Sequence, residues 1–146
     1  MRTFEERSQE LSQLIGQVVK QVTAASQQTC QQDPSATLAP QELKIIEFLG
    51  ERSPRIMREL CEAMSLPLST GTGVVDKLVE KGLVLRDRLP EDRRVVAIEL
   101  SSLGKEVFLE LLRQHLAISQ AMLEALTAEE QEMLVMLMRK VVRNRP

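Results

Sequence analysis

LVEKGLVLRDRLPEDRRVVAIELSSLG, residues 78 to 104, changes its periodicity partway along. Leu78 and Val79 continue an apolar pattern of three- and four-residue steps that starts at Val74 and Val75, and Gly82 stops it. Beyond that glycine the period becomes two. LVLRDR (Leu83 to Arg88) and RVVAIEL (Arg94 to Leu100) are strand-like runs joined through Leu89-Pro90-Glu91-Asp92. The pattern predicts a helix followed directly by an antiparallel hairpin with a charged tip.

Upstream, Ser69 and Thr70 are expected to begin that helix, and Ile56, Met57, Leu60, Cys61 and Met64 fit a short helix before it. Pro40 suits the first turn of another, with Leu43, Ile45, Ile46 and Leu49 on its apolar face and Gly50 as its stop. Three short helices with tight connections make a helix-turn-helix, the second and third forming the pair. With the hairpin appended, residues 38–100 read as a winged helix-turn-helix.

Both flanks read as long helices. Phe4, Leu11, Leu14, Ile15, Val18, Val19 and Val22 form one stripe, which fades into the polar residues 27–33 and a turn-like DPSATLAP. Val107, Phe108, Leu111, Leu112, Leu116, Met122 and Leu123 form a second. Thr127-Ala128-Glu129-Glu130 is a capping-box pattern ahead of the apolar stretch Met133 to Val142. Such stripes need a partner surface. The fold class is therefore mainly α with a small β-hairpin wing, divided into residues 1–33, 38–100 and 101–146.

The chain of 146 residues carries 19 Lys and Arg against 21 Asp and Glu, a net charge of −2. That number argues against a nucleic-acid binder only until its distribution is read. Arg52 to Arg94 holds nine basic and seven acidic residues; the remainder holds ten and fourteen. The central segment is modestly basic, so any affinity for phosphate rests on a few placed arginines. No apolar run exceeds Met133 to Met138, and MRTFEERSQE lacks a signal-peptide core, so a cytoplasmic protein without a membrane span is expected.

With one His, two Cys and no Tyr or Trp, no catalytic triad or metal cluster is assembled, and neither an enzyme nor a cofactor is expected. His115, among Leu111, Leu112, Leu116 and Ile118, reads as a core or interface residue. Cys61 reads as a small core side chain, and Cys30 as a residue in a polar stretch, with redox sensing the weaker reading. The four methionines from Met122 to Met138 suit core and dimer gaps or an adaptable crevice.

The hairpin tip holds Arg86, Arg88, Arg93 and Arg94 with Asp87, Glu91 and Asp92. It is either a solvated charged turn or a minor-groove reader, a task for which arginine is well suited. In the helix before it, Ser69, Thr70 and Thr72 can hydrogen-bond base edges or phosphates and Lys77 can reach the backbone. Ser69 and Thr70 can equally act as caps.

Residues 38–104 resemble the winged-helix core of the MarR family of bacterial transcriptional regulators. The likeness rests on Leu78-Val79-Glu80-Lys81-Gly82-Leu83-Val84, seven residues, Asp92-Arg93-Arg94, six residues, and Ser101-x-x-Gly104. Ser101 stands where the family commonly has Thr; either hydroxyl caps a helix. Ala39 and Pro67 stand where capping hydroxyls are frequent. Gly71 and Gly73 depart further, from an apolar residue and an Arg, at about 1 kcal/mol each relative to Ala.

The resemblance implies a homodimer, interlocked through its terminal helices, that binds pseudo-palindromic duplex DNA as a repressor and is relieved by a small-molecule effector. It implies that Arg94 enters the minor groove with Asp92 orienting it by ion pairing, while Arg93 and Arg88 contact phosphates or support the turn. The rival reading is a winged-helix protein-interaction module or co-regulator without sequence-specific DNA binding. The two glycines and the net acidity favour that rival.

Overall fold

A computed structural model describes residues 1–27 and 34–144. Cys30, and with it the reading of a polar stretch around it, lies outside the described residues.

Residues 34–113 form one compact unit. After a 3-10 turn at Pro34–Thr37 come α2 (Pro40–Glu51), β1 (Arg55–Ile56), α3 (Met57–Ala63), α4 (Leu68–Glu80), β2 (Val84–Arg88), β3 (Val96–Leu100) and the first half of α5 (Ser102–Glu124). The three strands are antiparallel in the order β1-β3-β2. Val84 pairs with Leu100 and Arg88 with Val96, which makes β2 and β3 the hairpin read from the period of two.

Strand β1 was not expected. Ile56, assigned from its spacing to the helix that follows, pairs with Ala97, and Arg55 pairs with Ile98. Two residues are too few for any period to register.

The core is built from one face of each element. Ile45, Ile46 and Leu49 of α2, Leu60 of α3, Val75 and Leu78 of α4, Ile98 of β3 and Val107 of α5 are fully buried. Cys61 is buried and free, as its spacing predicts. Gly50 is not a helix stop, since α2 continues to Glu51 and Gly82 is the glycine with positive φ, at 72°. A β-carbon on Gly50 would instead strike the Phe108 ring. This glycine lets α5 approach α2.

One buried carboxylate fastens α2 to the end of α4. Glu42 accepts from Lys81 Nζ at 2.8 Å on both oxygens and from the Ala39 amide at 2.8 Å, which satisfies the N–H of the N-cap residue itself. Burial alone would push its carboxyl up. The Lys81 and Ala39 hydrogen bonds and the charges of Lys81 and Lys77 outweigh that and hold it below the ordinary 4.5.

A carboxyl lowered on folding stabilises fully above its unfolded value, and the contribution fades as pH falls through the folded value. Glu42→Gln should therefore cost about 1–2 kcal/mol at neutral pH, discounted for the half-exposed Lys81. In urea titrations the gap from the parent protein should narrow below pH 4.5. A gap independent of pH would refute the assignment.

The other unit comprises α1 (Phe4–Gln27) with the rest of α5 and α6 (Ala128–Arg143). Thr3 and Glu6 cap α1 reciprocally, and Thr127 and Glu130 do the same for α6, as the sequence pattern of the latter predicts. Gln131 donates to the Leu123 and Leu126 carbonyls and closes the turn between α5 and α6.

Among the described residues, none in α1 or α6 is buried. Leu11, Leu14, Ile15, Met133, Met136 and Met138 are exposed, so these methionines do not fill a core within the chain. His115 is exposed as well. No helix of the described residues is long and apolar enough to cross a membrane.

Candidate nucleic-acid interface

Helix α4 starts at Leu68 with Pro67 as its N-cap residue, one position before the expected start. Ser69 and Thr70 therefore fall inside the first turn and do not cap it. Both are exposed and Thr72 is half-buried; among the described residues none of the three hydroxyls is engaged in a hydrogen bond. Ser69, Gly73, Asp76 and Glu80 follow one another at three- and four-residue steps along the exposed face, with Lys77 beside Asp76. Lys77 lies in the last turn, where its charge acts on Glu42.

The two unusual glycines have different causes. Gly71 is buried, and a β-carbon there would collide with the Cys61 sulfur of α3. It therefore faces the core, and no base-reading side chain is lost at this position. Gly73 is exposed, with open space where its side chain would be. It leaves a gap on the outward face between Ser69 and Asp76.

The pairing of Gly71 with Cys61 is testable. Gly71→Ala should destabilise by about 2 kcal/mol through overpacking, and the loss should shrink by more than about 1 kcal/mol in a Cys61→Ala background. Additive losses in a double-mutant cycle would show that the two positions are not packed together.

The wing is held to the helix pair at its base and at its side. At the base, Ser101 donates its hydroxyl to the Gly82 carbonyl at 2.6 Å and its amide to the Leu83 carbonyl at 3.0 Å. The same hydroxyl accepts from the Gly104 amide at 3.0 Å, capping α5. At the side, Arg86 Nη1 of β2 bonds Asp76 Oδ1 of α4 at 2.8 Å.

At the tip, Asp92 Oδ1 accepts from the backbone amide of Arg94 at 2.9 Å, and the Asp92 carbonyl accepts from Val95 at 3.0 Å. Asp92 thus orients Arg94 through an Asx-type turn, where an ion pair to its guanidinium was expected. Among the described residues, Arg88, Arg93 and Arg94 have no ion-pair partner.

Arg88 and Arg93 line one open groove together with Arg86; Arg94 does not. Ser69, Thr70 and Thr72 form a second group on α4, with Lys77 apart from them in the last turn. Asp76 and Arg86 join the helix to the wing. Sequence reading did not select this pair, because two opposite charges ten positions apart on different elements carry no local signal.

A model of the MarR family matches residues 38–96. The chain is similar to the HTH-type transcriptional regulator MhqR of Bacillus subtilis (strain 168), at 29% identity over 104 residues, 71% of this chain and 72% of that protein. Its structure is similar to that of a MarR-like transcriptional regulator from Thermotoga maritima, with a TM-score of 0.76, 25% identity and coverage of 98% and 96% of the two chains. The structure of Streptococcus pneumoniae FabT in complex with DNA shares the fold, with a TM-score of 0.78 at 18% identity over 97% and 96% of the chains.

Proposed function

The chain belongs to the MarR family of transcriptional regulators, and from that premise we propose that it is a homodimeric repressor that grips pseudo-palindromic duplex DNA. In each protomer α4 enters a major groove with Ser69, Thr70 and Thr72 as short readers, and Lys77 reaches the backbone. Arg94 enters the adjoining minor groove, where Asp92 fixes its backbone, and Arg88 and Arg93 contact phosphate. Occupancy at a promoter competes with polymerase, which is repression.

The observation that carries this reading is the juxtaposition of uncommitted hydroxyls on α4 with ion-pair-free arginines on the wing, the two elements tied by Asp76 and Arg86. FabT, similar in fold, was solved with DNA, which supports it. The rival interaction-module reading loses one of its motives, because Gly71 is explained by Cys61.

Dimerisation is supported by the exposed apolar faces of α1, α5 and α6, more than a soluble monomer ordinarily leaves bare. A partner's helices would cover the crevice between α5 and α6, about 490 Å³, which Met122, Leu123, Leu134 and Met138 help to line. A small-molecule effector relieves repression by preferring one spacing of the two readers over another.

Selection from random duplexes tests the function. The expected product is an inverted repeat with half-sites about 34–36 Å apart, or a multiple of that. Binding should weaken steeply with salt as counterions are released. No enriched sequence, together with no duplex binding near physiological salt, would overturn the proposal.

A further inference from the structure

Base pairs offer the major groove few handles, and each calls for its own side chain. Arg or Lys grips guanine, Asn or Gln grips adenine, a carboxylate accepts from cytosine, and an apolar group meets the thymine methyl. Helix α4, LSTGTGVVDKLVE from Leu68 to Glu80, holds no Arg, Asn or Gln. Its Lys77 stands nine residues from the start, about 13 Å along the axis. Asp76 is held by Arg86. In a helix-turn-helix the N-terminal residues of the second helix meet the base edges. At that end α4 has only hydroxyls and apolar groups.

Leu68 is the large apolar group there. It is 60% exposed, and among the described residues 34–113 no large apolar side chain is more so. It adds nothing to the core, and its apolar surface gains only when a partner covers it. Thr72, four residues on, shares its face of the helix and carries a methyl beside its hydroxyl. The adjoining stripe passes through Ser69 and Gly73, where an added β-carbon would meet nothing within 4 Å. A short side chain touches a base only if the helix comes close. Gly73 leaves that approach open.

We propose that Leu68 is a specificity-determining residue that reads the C5-methyl of one thymine in each half-site, with Gly73 giving the base edge room. The assignment deepens the DNA-binding reading given above and rests on it. The thymine methyl is the apolar group among the major-groove handles, so a leucine has no other base to prefer. The hydroxyls of Ser69 and Thr70 donate or accept and discriminate little, which leaves the choice to the methyl contact. The methyl lies in the major groove, so the wing takes no part in reading it.

The probes are the selected operator and copies in which each thymine in turn is replaced by deoxyuridine in both half-sites. Uracil pairs as thymine does and lacks only the methyl. At one position the parent dimer should bind the uracil copy about fourfold more weakly per half-site, and about fifteenfold over the two. Leu68→Ala should bind the thymine and uracil forms of that position alike. Its thermal melt and its affinity for unrelated duplex should match the parent, because the side chain is exposed and outside the core. Thr72→Ser removes a methyl, keeps the hydroxyl, and should retain most of the discrimination.

A parent dimer that binds every uracil copy as tightly as the operator would overturn the assignment and leave DNA binding intact. A Leu68→Ala dimer that still separates thymine from uracil would do the same, as would a Thr72→Ser dimer that no longer does. If the parent selects no sequence and binds no duplex, the underlying reading falls as well.

Discussion

Gly104→Ala is expected to destabilise the protein by about 3–5 kcal/mol. A β-carbon at this position would lie inside van der Waals contact with the Leu83 carbonyl oxygen and 3.3 Å from the Leu100 β-carbon. The first obstacle is main chain, so no side-chain rotation relieves it, and α5 must lift away from the end of α4. Lifting breaks the junction that Ser101 makes with the Gly82 and Leu83 carbonyls. Overpacking costs about 1–3 kcal/mol and each lost hydrogen bond about 1 more.

For a domain whose whole stability is about 5–15 kcal/mol, that is a large share. The transition should fall by about 10 °C. Gly16→Ala is the contrast, because nothing lies within 4 Å of its added carbon and helix propensity should raise stability by about 1 kcal/mol. Ser101→Thr keeps the hydroxyl and should be close to neutral; Ser101→Ala should lose about 2 kcal/mol. A Gly104→Ala protein with an unchanged denaturation midpoint would refute this account of the junction.

The Ser101-x-x-Gly104 spacing thus encodes a contact, and it was legible as a pattern before its cause was. Other parts were legible because they repeat. The change of period at Gly82 marks the passage from α4 to β2, and the stripes of the end helices mark their apolar faces. What could not be read depends on partners distant in sequence. β1 exists only because β3 lies beside it, some forty positions on. Gly50 faces Phe108 and Gly71 faces Cys61, so each resembled a helix defect until its neighbour was known.

The candidate interface divides in the same way. The hydroxyls of α4 and the arginines of the wing were legible as residue types suited to DNA, whereas the pair that spans the gap between them was not. For the apolar faces of α1 and α6 the missing information is of another kind. In the proposed dimer, what covers them belongs to a second chain.

Arg94→Ala is expected to weaken operator binding about a thousandfold without altering stability. Arg94 is exposed and has no ion-pair partner among the described residues, so its removal takes nothing from the fold. In the proposed complex it meets the narrow, electronegative groove in which arginine is favoured. A loss of about 2 kcal/mol per protomer becomes about 4 in a two-fold dimer, and every 1.4 kcal/mol is a factor of ten. Arg94→Lys preserves the charge and loses the planar fork, so it should recover only part of the loss.

Asp92 separates two accounts of how Arg94 is held. If its carboxylate acted by ion pairing, Asp92→Asn would be as damaging as Asp92→Ala. Because it accepts from the Arg94 amide at 2.9 Å, the asparagine oxygen can take over that bond. Asp92→Asn should therefore stay within about threefold of the parent, while Asp92→Ala releases the turn and costs about 1 kcal/mol per protomer. Titrations at one fixed salt concentration decide between them. Parent-like affinity for Arg94→Ala would remove the wing tip from the interface.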